Sequence, residues 1–322
     1  MNPANEIYKL IGNYFSPAGQ NARLSIFIFH RVLAEQDPIF PREATAESFD
    51  SQIACLKAVF NMLPLAEAVT RLKAGTLPER PACITFDDGY ADNVTLALPI
   101  LKKHGVHATF FIATGYLNGG RMFNDTVIEA FRNSRGNEIE LDTLGLERYD
   151  VSTPPAKRKA IIDVLSKLKY MPLGEREEKA AQLAAAVSDV PPANDLMMTT
   201  AQLRELHHAG MGIGGHTVRH PILAKLDATA VHNEIAEGKE FLEETLGERV
   251  SLFAYPNGRP GADYLPEQAD IVRKIGFDAA VSTQQGVSSR STDVFQLPRF
   301  TPWQANSSRF ILAALQNLRR SV

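Results

Sequence analysis

Ala82-Cys83-Ile84-Thr85-Phe86-Asp87-Asp88-Gly89-Tyr90 is a short apolar β-run that ends in two adjacent acids and a glycine. Side chains alternate along a strand, so Thr85 and Asp87 are expected on one face and Phe86 and Asp88 on the other, until Gly89 breaks the regularity. Two carboxylates at one strand end repel each other, and each must be solvated, paired or bound to a cation. Taken alone, Asp-Asp-Gly is also the composition of a solvated turn. What the rest of the chain brings to the same end decides between the two.

Upstream, Leu24 to Phe29 is a β-branched and aromatic run that delivers His30 and Arg31 to its carboxyl end. Between these runs Phe49, Ile53, Leu56 and Val59-Phe60 recur with helical spacing, and Leu65 to Leu72 repeats the pattern after Pro64. Downstream, Val94 to Leu101 reads as a helix that ends near Gly105, and His107 to Ala113 as the next strand. This βαβ alternation predicts a parallel sheet. Later strands are expected at Gly210 to His216, Ser251 to Tyr255, Asp278 to Ser282 and Gln296 to Phe300. Helices capped by Thr199 or Thr200 and by Asp227, and one from Pro266 to Ile275, lie between them. The count is that of one barrel-sized α/β domain over residues 1–322. From about Arg121 to Asp195 the chain turns helical and charged with no convincing buried strand, which reads as a helical insertion leaving the barrel near one rim.

With 322 residues and 44% hydrophobic composition, the chain can bury a large core without staples. Lys+Arg 34 against Asp+Glu 37 gives a net charge of -3 with neither sign in blocks, so no footprint for nucleic acid is present. Cys55 and Cys83 read as small hydrophobes. No run of about 20 apolar residues predicts a transmembrane helix. The amino terminus lacks the apolar core and small-residue cleavage site of a signal peptide, which gives a cytoplasmic expectation. Ile7, Leu10, Ile11, Tyr14 and Phe15 form an amphipathic turn or two, suited to packing on the domain or to touching a membrane.

His216-Thr217-Val218-Arg219-His220 sets two imidazoles four residues apart just beyond a strand, where one helical turn would aim both at one point. A divalent ion held by one carboxylate and two neutral imidazoles keeps open positions, as metal-assisted hydrolysis requires. The remaining carboxylate is then free to take a proton from water. One acid of the Asp87-Asp88 pair binds and the other acts as base.

Three stretches, Thr85-Phe86-Asp87-Asp88-Gly89, His216-Thr217-Val218-Arg219-His220 and Phe253-Ala254-Tyr255-Pro256-Asn257-Gly258, resemble successive motifs of the polysaccharide deacetylase family, also called the NodB-homology domain, in order along the chain. The resemblance covers roughly residues 24–300 apart from the insertion. It implies a distorted (β/α) barrel of about seven parallel strands with its site at the strands' carboxyl ends. It also implies that Asp87 is the base, that Asp88, His216 and His220 are the metal ligands, and that the backbone N–H near Asn257 is the oxyanion donor. Two positions depart from the pattern. Ala254 stands where many members carry an arginine that orients the base, and Leu297-Pro298-Arg299 stands where many carry a late acid histidine. Arg299 is the nearest candidate to hold Asp87. Phe29-His30-Arg31-Val32 resembles the opening of the permuted subgroup that deacetylates poly-N-acetylglucosamine, which makes His30 the expected general acid.

The expected activity is therefore metal-dependent hydrolysis of N-acetyl groups on an amino-sugar polysaccharide, an exopolysaccharide or its precursor, with release of acetate. The other readings are a small-molecule amide hydrolase of the same fold and a catalytically weakened carbohydrate-binding barrel. The expected cofactor is one divalent ion, zinc first, with nickel, cobalt or iron as alternatives. The expected partners are the N-acetylated glycan and, by peripheral contact, a polysaccharide synthesis complex, with membrane association as an alternative to the cytoplasmic location.

Overall fold

The computed structural model describes residues 3–190, 193–301 and 307–320, so residues 191 and 192 of the expected insertion lie outside it. The chain opens with α1 (Pro3–Phe15), β1 (Ser25–Phe29), and the short parallel pair β2 (Val32–Leu33) and β3 (Ala44–Thr45). It continues through α2 (Ala46–Val59), β4 (Asn61–Met62), α3 (Leu65–Ala74), β5 (Pro81–Phe86), α4 (Leu98–His104) and β6 (Ala108–Ile112). Next come α5 (Phe123–Arg132), β7 (Glu138–Glu140), β8 (Arg148–Asp150), α6 (Pro154–Leu168) and α7 (Leu173–Val187). The last third holds α8 (Thr200–His208), β9 (Gly212–Gly215), α9 (Ala228–Leu246), β10 (Leu252–Ala254), α10 (Pro266–Ile275), β11 (Ala279–Val281) and α11 (Ser307–Asn317).

Seven of these strands make one sheet in the order β1-β5-β6-β9-β10-β11, with β4 also pairing β5, and every pairing in it is parallel. Its two edges are joined by the late stretch read as a strand. Leu297 pairs in parallel with Val281 of β11, and Phe300 with Phe27 of β1. The Phe300 N–H donates to Ile26 and its carbonyl accepts from Ile28. The sheet thus curls into the distorted barrel that the motifs imply.

Strand alternation sorts the side chains. Phe29, Phe86 and Phe110 point outward in successive stacks, with ring centroids 5.5 and 4.9 Å apart, under the covering helices. Ile26, Cys83, Phe111, Ala254, Val281 and Leu297 share the inner cluster with α3. Further along the same inner face stand Thr85, Asp87 and Arg299. The lower interior is thus apolar and its upper end carries charge.

The glycines of β9 follow from this packing. A Cβ on Gly214 would stand 2.4 Å from the Phe111 ring and 2.9 Å from the Leu252 carbonyl. One on Gly215 would crowd Phe277 at 3.2 Å. Large neighbours already fill the space that side chains there would need.

Three expectations change. The stretch from 121 to 195 is not wholly helical. β7 and β8 form an antiparallel pair that buries Ile139 and Tyr149, and with α5, α6 and α7 they enclose a core of their own. The amphipathic amino terminus is a full 13-residue helix, α1. Its Tyr8 and Phe15 pack on the main core, and its Gly12 meets the Arg80 side chain, while Ile7, Leu10 and Tyr14 are exposed. The stretch between α2 and α3 carries β4, too short for periodicity to reveal. The Thr199 capping box and the Asp227 cap form as expected. No helix among the described residues is long and apolar enough to cross a membrane.

Gly214→Ala should cost about 1–3 kcal/mol of stability, the usual range for overpacking a filled core. Chemical denaturation of both proteins measures it, and an unchanged midpoint would show that Phe111 can yield.

Candidate active site

β5 ends where its backbone leaves the strand. The Asp87 N–H still donates to the Phe29 carbonyl of β1 at 3.0 Å, but Asp88 takes φ 77° and Gly89 φ 93°. Simple alternation would send the two carboxylates to opposite faces. The left-handed residue instead brings both Asp87 and Asp88 to one cavity. A non-glycine residue there carries strain, which the surrounding structure must hold. The Asp88 carbonyl accepts from Ala113 at 3.2 Å and the Gly89 carbonyl from Met198 at 3.0 Å.

Asp87 is clamped. Both Arg299 terminal nitrogens donate to its two oxygens at 2.7 Å, and the pair is almost wholly buried. Arg299 is itself aimed by its Nε donating to the Ser282 carbonyl at 2.8 Å and by Nη1 donating to Thr85 Oγ1 at 3.2 Å. Thr85 in turn donates to the Phe27 carbonyl at 3.0 Å. Burial opposes the charged carboxylate, but Arg299 and then His216 outweigh it and hold Asp87 below its ordinary range. The guanidinium that Ala254 cannot provide arrives from the segment that closes the barrel.

The two imidazoles converge without a helix. Residues 216–220 form a turn in which Thr217 has φ 65° and His220 φ 51°, which replaces the helical turn expected from their spacing. Glu234 of α9 holds this turn, accepting from the backbone N–H groups of Val218 and Arg219 at 3.1 and 2.8 Å and from Arg219 Nε at 2.8 Å. Close approach is allowed by Gly115, whose N–H donates to the Val218 carbonyl at 2.9 Å and where a Cβ would stand 2.8 Å from that oxygen. His216 Nδ1 lies 2.7 Å from the Ala254 carbonyl, an acceptor only, so Nδ1 carries the proton and Nε2 is left as a lone pair.

Asp88, His216 and His220 each offer one ligand atom, all within 4.8 Å of one another. Asp88 Oδ1 is buried without a hydrogen-bond partner and lies 3.4 and 3.5 Å from Nε2 of the two histidines. A buried anionic oxygen facing two imidazole lone pairs is an arrangement that a cation completes. Burial opposes the Asp88 charge, yet His216 above all holds its carboxyl far below the ordinary range. Burial pushes His220 down to about 3, against the pull of Asp88, and so keeps it in the neutral form that ligation needs. His216 is raised, because Asp88 and Asp87 outweigh its burial. The donor set fits a divalent ion.

His30 and Asn257 line the same cavity of about 370 Å³. His30 is exposed at the mouth, and its carbonyl accepts from Asn93 Nδ2 at 2.8 Å. The next residue is fixed as well, since Arg31 Nε donates to Asp92 at 2.8 Å. Asn257 has φ 58°, and its backbone N–H makes no hydrogen bond among the described residues. His104 and His107 lie elsewhere, the first bonded to Asp50 on the outer helices and the second before the opposite end of β6.

Sequence reasoning missed several groups. Glu234 was legible as an acid on the buried stripe Val231, Ile235, Gly238 and Leu242 of α9. Asp125 of α5 is 4% exposed, lines the cavity and accepts from the Tyr90 hydroxyl at 3.1 and 3.2 Å. Burial and the Asp88 charge push its carboxyl up to about 7.

The family model described as polysaccharide deacetylase matches residues 74–280. The YxkH protein of Bacillus subtilis is 22% identical over 280 residues, 86% of this chain and 71% of that one. A poly-beta-1,6-N-acetyl-D-glucosamine N-deacetylase of Staphylococcus aureus is 34% identical over 106 residues, 33% of this chain and only 35% of its own length. Among solved structures, the Streptococcus pyogenes deacetylase PplD in complex with acetate has a TM-score of 0.60 at 20% identity, covering 92% of this chain and 98% of that one. IcaB from Ammonifex degensii has a TM-score of 0.57 at 19% identity, covering 94% and 98%. With its fold shared by these structures and more than half its length matched by the family, the chain belongs to the polysaccharide deacetylases, hydrolases of carbon–nitrogen bonds.

Proposed function

We propose that this protein is a metal-dependent N-deacetylase of an N-acetylated amino-sugar polysaccharide, an exopolysaccharide or its precursor, and that it releases acetate. The observation that carries the reading is the pairing of a three-ligand cluster with a second carboxylate that is clamped separately, Asp87 on Arg299. The staphylococcal relative's name favours poly-N-acetylglucosamine as the substrate class. Residues 1–322 act as one deacetylase domain, with the segment from about 121 to 195 inserted at the mouth of its site.

A divalent ion on Asp88, His216 and His220, zinc before nickel, cobalt or iron, supplies Lewis acidity toward water and the acetyl carbonyl. Asp87, its rotamer fixed by Arg299, takes a proton from the water that adds to the carbonyl carbon. The Asn257 N–H is assigned to the developing oxyanion. His30 then gives its proton to the amide nitrogen as the carbon–nitrogen bond breaks, so the sugar leaves as a free amine and the acetyl group as acetate. Acetate release from a panel of acetylated glycans by metal-reconstituted protein tests the whole reading, and a protein that binds the glycans without releasing acetate would overturn it.

Four variants separate the roles. The His216→Ala, His220→Ala double variant should lose its stoichiometric metal by elemental analysis, and retention would refute the ligand assignment. Asp87→Asn should keep metal and lose turnover. Arg299→Ala should lower kcat about 100-fold through a misplaced base while metal stays bound, and unchanged kinetics would remove Arg299 from the mechanism. His30→Ala should fold, retain metal and lose most of its kcat. Near-normal turnover in that variant would show that the leaving amine gets its proton elsewhere.

A further inference from the structure

α5 turns a polar face toward the cavity. Asn124, Asp125, Ile128 and Arg132 all line it, and the four-residue steps from 124 to 128 to 132 put them along one side of the helix. Val127, Ala130 and Phe131 turn away into the core of the inserted segment. Arg132 is already engaged, donating to Asp37 at 3.0 and 2.6 Å and to Glu129 at 3.1 Å. Among the described residues Asp125 is held only by Tyr90, whose single hydroxyl proton both of its oxygens share, which leaves much of a carboxyl group's hydrogen-bonding capacity unused. Tyr90 is held in place beneath the Arg31 guanidinium, 4.9 Å from its ring centre, and Arg31 is tied to Asp92. Asn124, half-buried beside Asp125, makes no side-chain hydrogen bond among the described residues.

A buried carboxyl with spare acceptors next to an uncommitted amide is costly in an apolar wall and apt in one that meets hydroxyls. Sugar hydroxyls both donate and accept, which matches an acid and an amide side by side. We propose that Asn124 and Asp125 form the hydroxyl-binding subsite that seats the sugar ring carrying the acetamido group, so that the inserted segment selects the substrate of the barrel's reaction centre. Asp125 accepts from a ring hydroxyl, and the Asn124 amide donates to one. This assignment rests on the deacetylase reading above and goes beyond it in naming what distinguishes a glycan from another acetylated compound. Neither residue touches the acetyl group.

The test compares an N-acetylglucosamine tetramer with 4-nitrophenyl acetate, an ester with no ring hydroxyl, using metal-loaded protein. Asp125→Asn keeps an acceptor for Tyr90 and loses the charge, and Asn124→Ala removes the amide alone. Each should raise KM for the tetramer by up to about 10-fold, the worth of one hydrogen bond, with kcat changed far less. The loss in kcat/KM on the ester should be much smaller than on the tetramer. Equal losses on both substrates, or an unchanged KM for the tetramer in both variants, would overturn the assignment. A wild-type protein that hydrolyses the ester but no glycan would remove the polysaccharide reading and this subsite together, whereas normal glycan turnover with insensitive variants would remove the subsite alone.

Discussion

Two adjacent carboxylates buried at one strand end are the constraint to which the rest of the site answers. Like charges this close cannot both ionise without separate compensation. The fold gives each its own. Asp87 receives a bidentate guanidinium, and Asp88 receives two imidazoles, with which it forms a group that could hold a cation. The division also divides the chemistry, because a carboxylate neutralised by a fixed arginine keeps its lone pairs beside a ligand cluster without joining it. Removing either partner would strand a buried charge, an error worth about 3–5 kcal/mol in proteins.

The backbone geometry that serves this constraint is concentrated in a few left-handed residues. Asp88, Thr217, His220 and Asn257 all have positive φ without being glycine; all four follow the carboxyl ends of sheet strands, and Asp88, His220 and Asn257 line one cavity. Strain of this kind persists only where neighbours over-determine it. Glu234 from α9, Ala113 after β6 and the Thr217 hydroxyl, which accepts from the His220 N–H at 3.0 Å, are such neighbours.

The sequence made most of the sheet legible because β1, β5, β6, β10 and β11 are buried on both faces and read as short apolar runs. It made the ligand cluster legible because Asp87-Asp88-Gly89 and His216 to His220 each carry an unusual density of one chemistry. Arg299 was inferred only as a replacement for what Ala254 lacks, and its clamp on Asp87 depends on a contact across 212 residues that no local pattern encodes. The route by which the histidines converge was misread, since spacing of four suggests a helix and positive φ at Thr217 leaves no mark in composition. Asp125 and Asn124 were invisible for a further reason. They sit on a helix whose core belongs to the inserted segment, so nothing local links their polar face to a cavity built mainly from strand ends.

The closure of the barrel by residues 297–300 sets an order on assembly. Every residue of the group that could hold a cation has been made by residue 220, while Asp87, the proposed base, waits for residue 299 and for the contacts of Leu297 and Phe300 with the sheet's two edges. Contacts so distant in sequence are among the slower ones to form. On the proposed roles, a nascent or partly folded chain would hold the groups that could capture an ion well before Asp87 is clamped, and hydrolysis would itself report that the last gap in the sheet has shut.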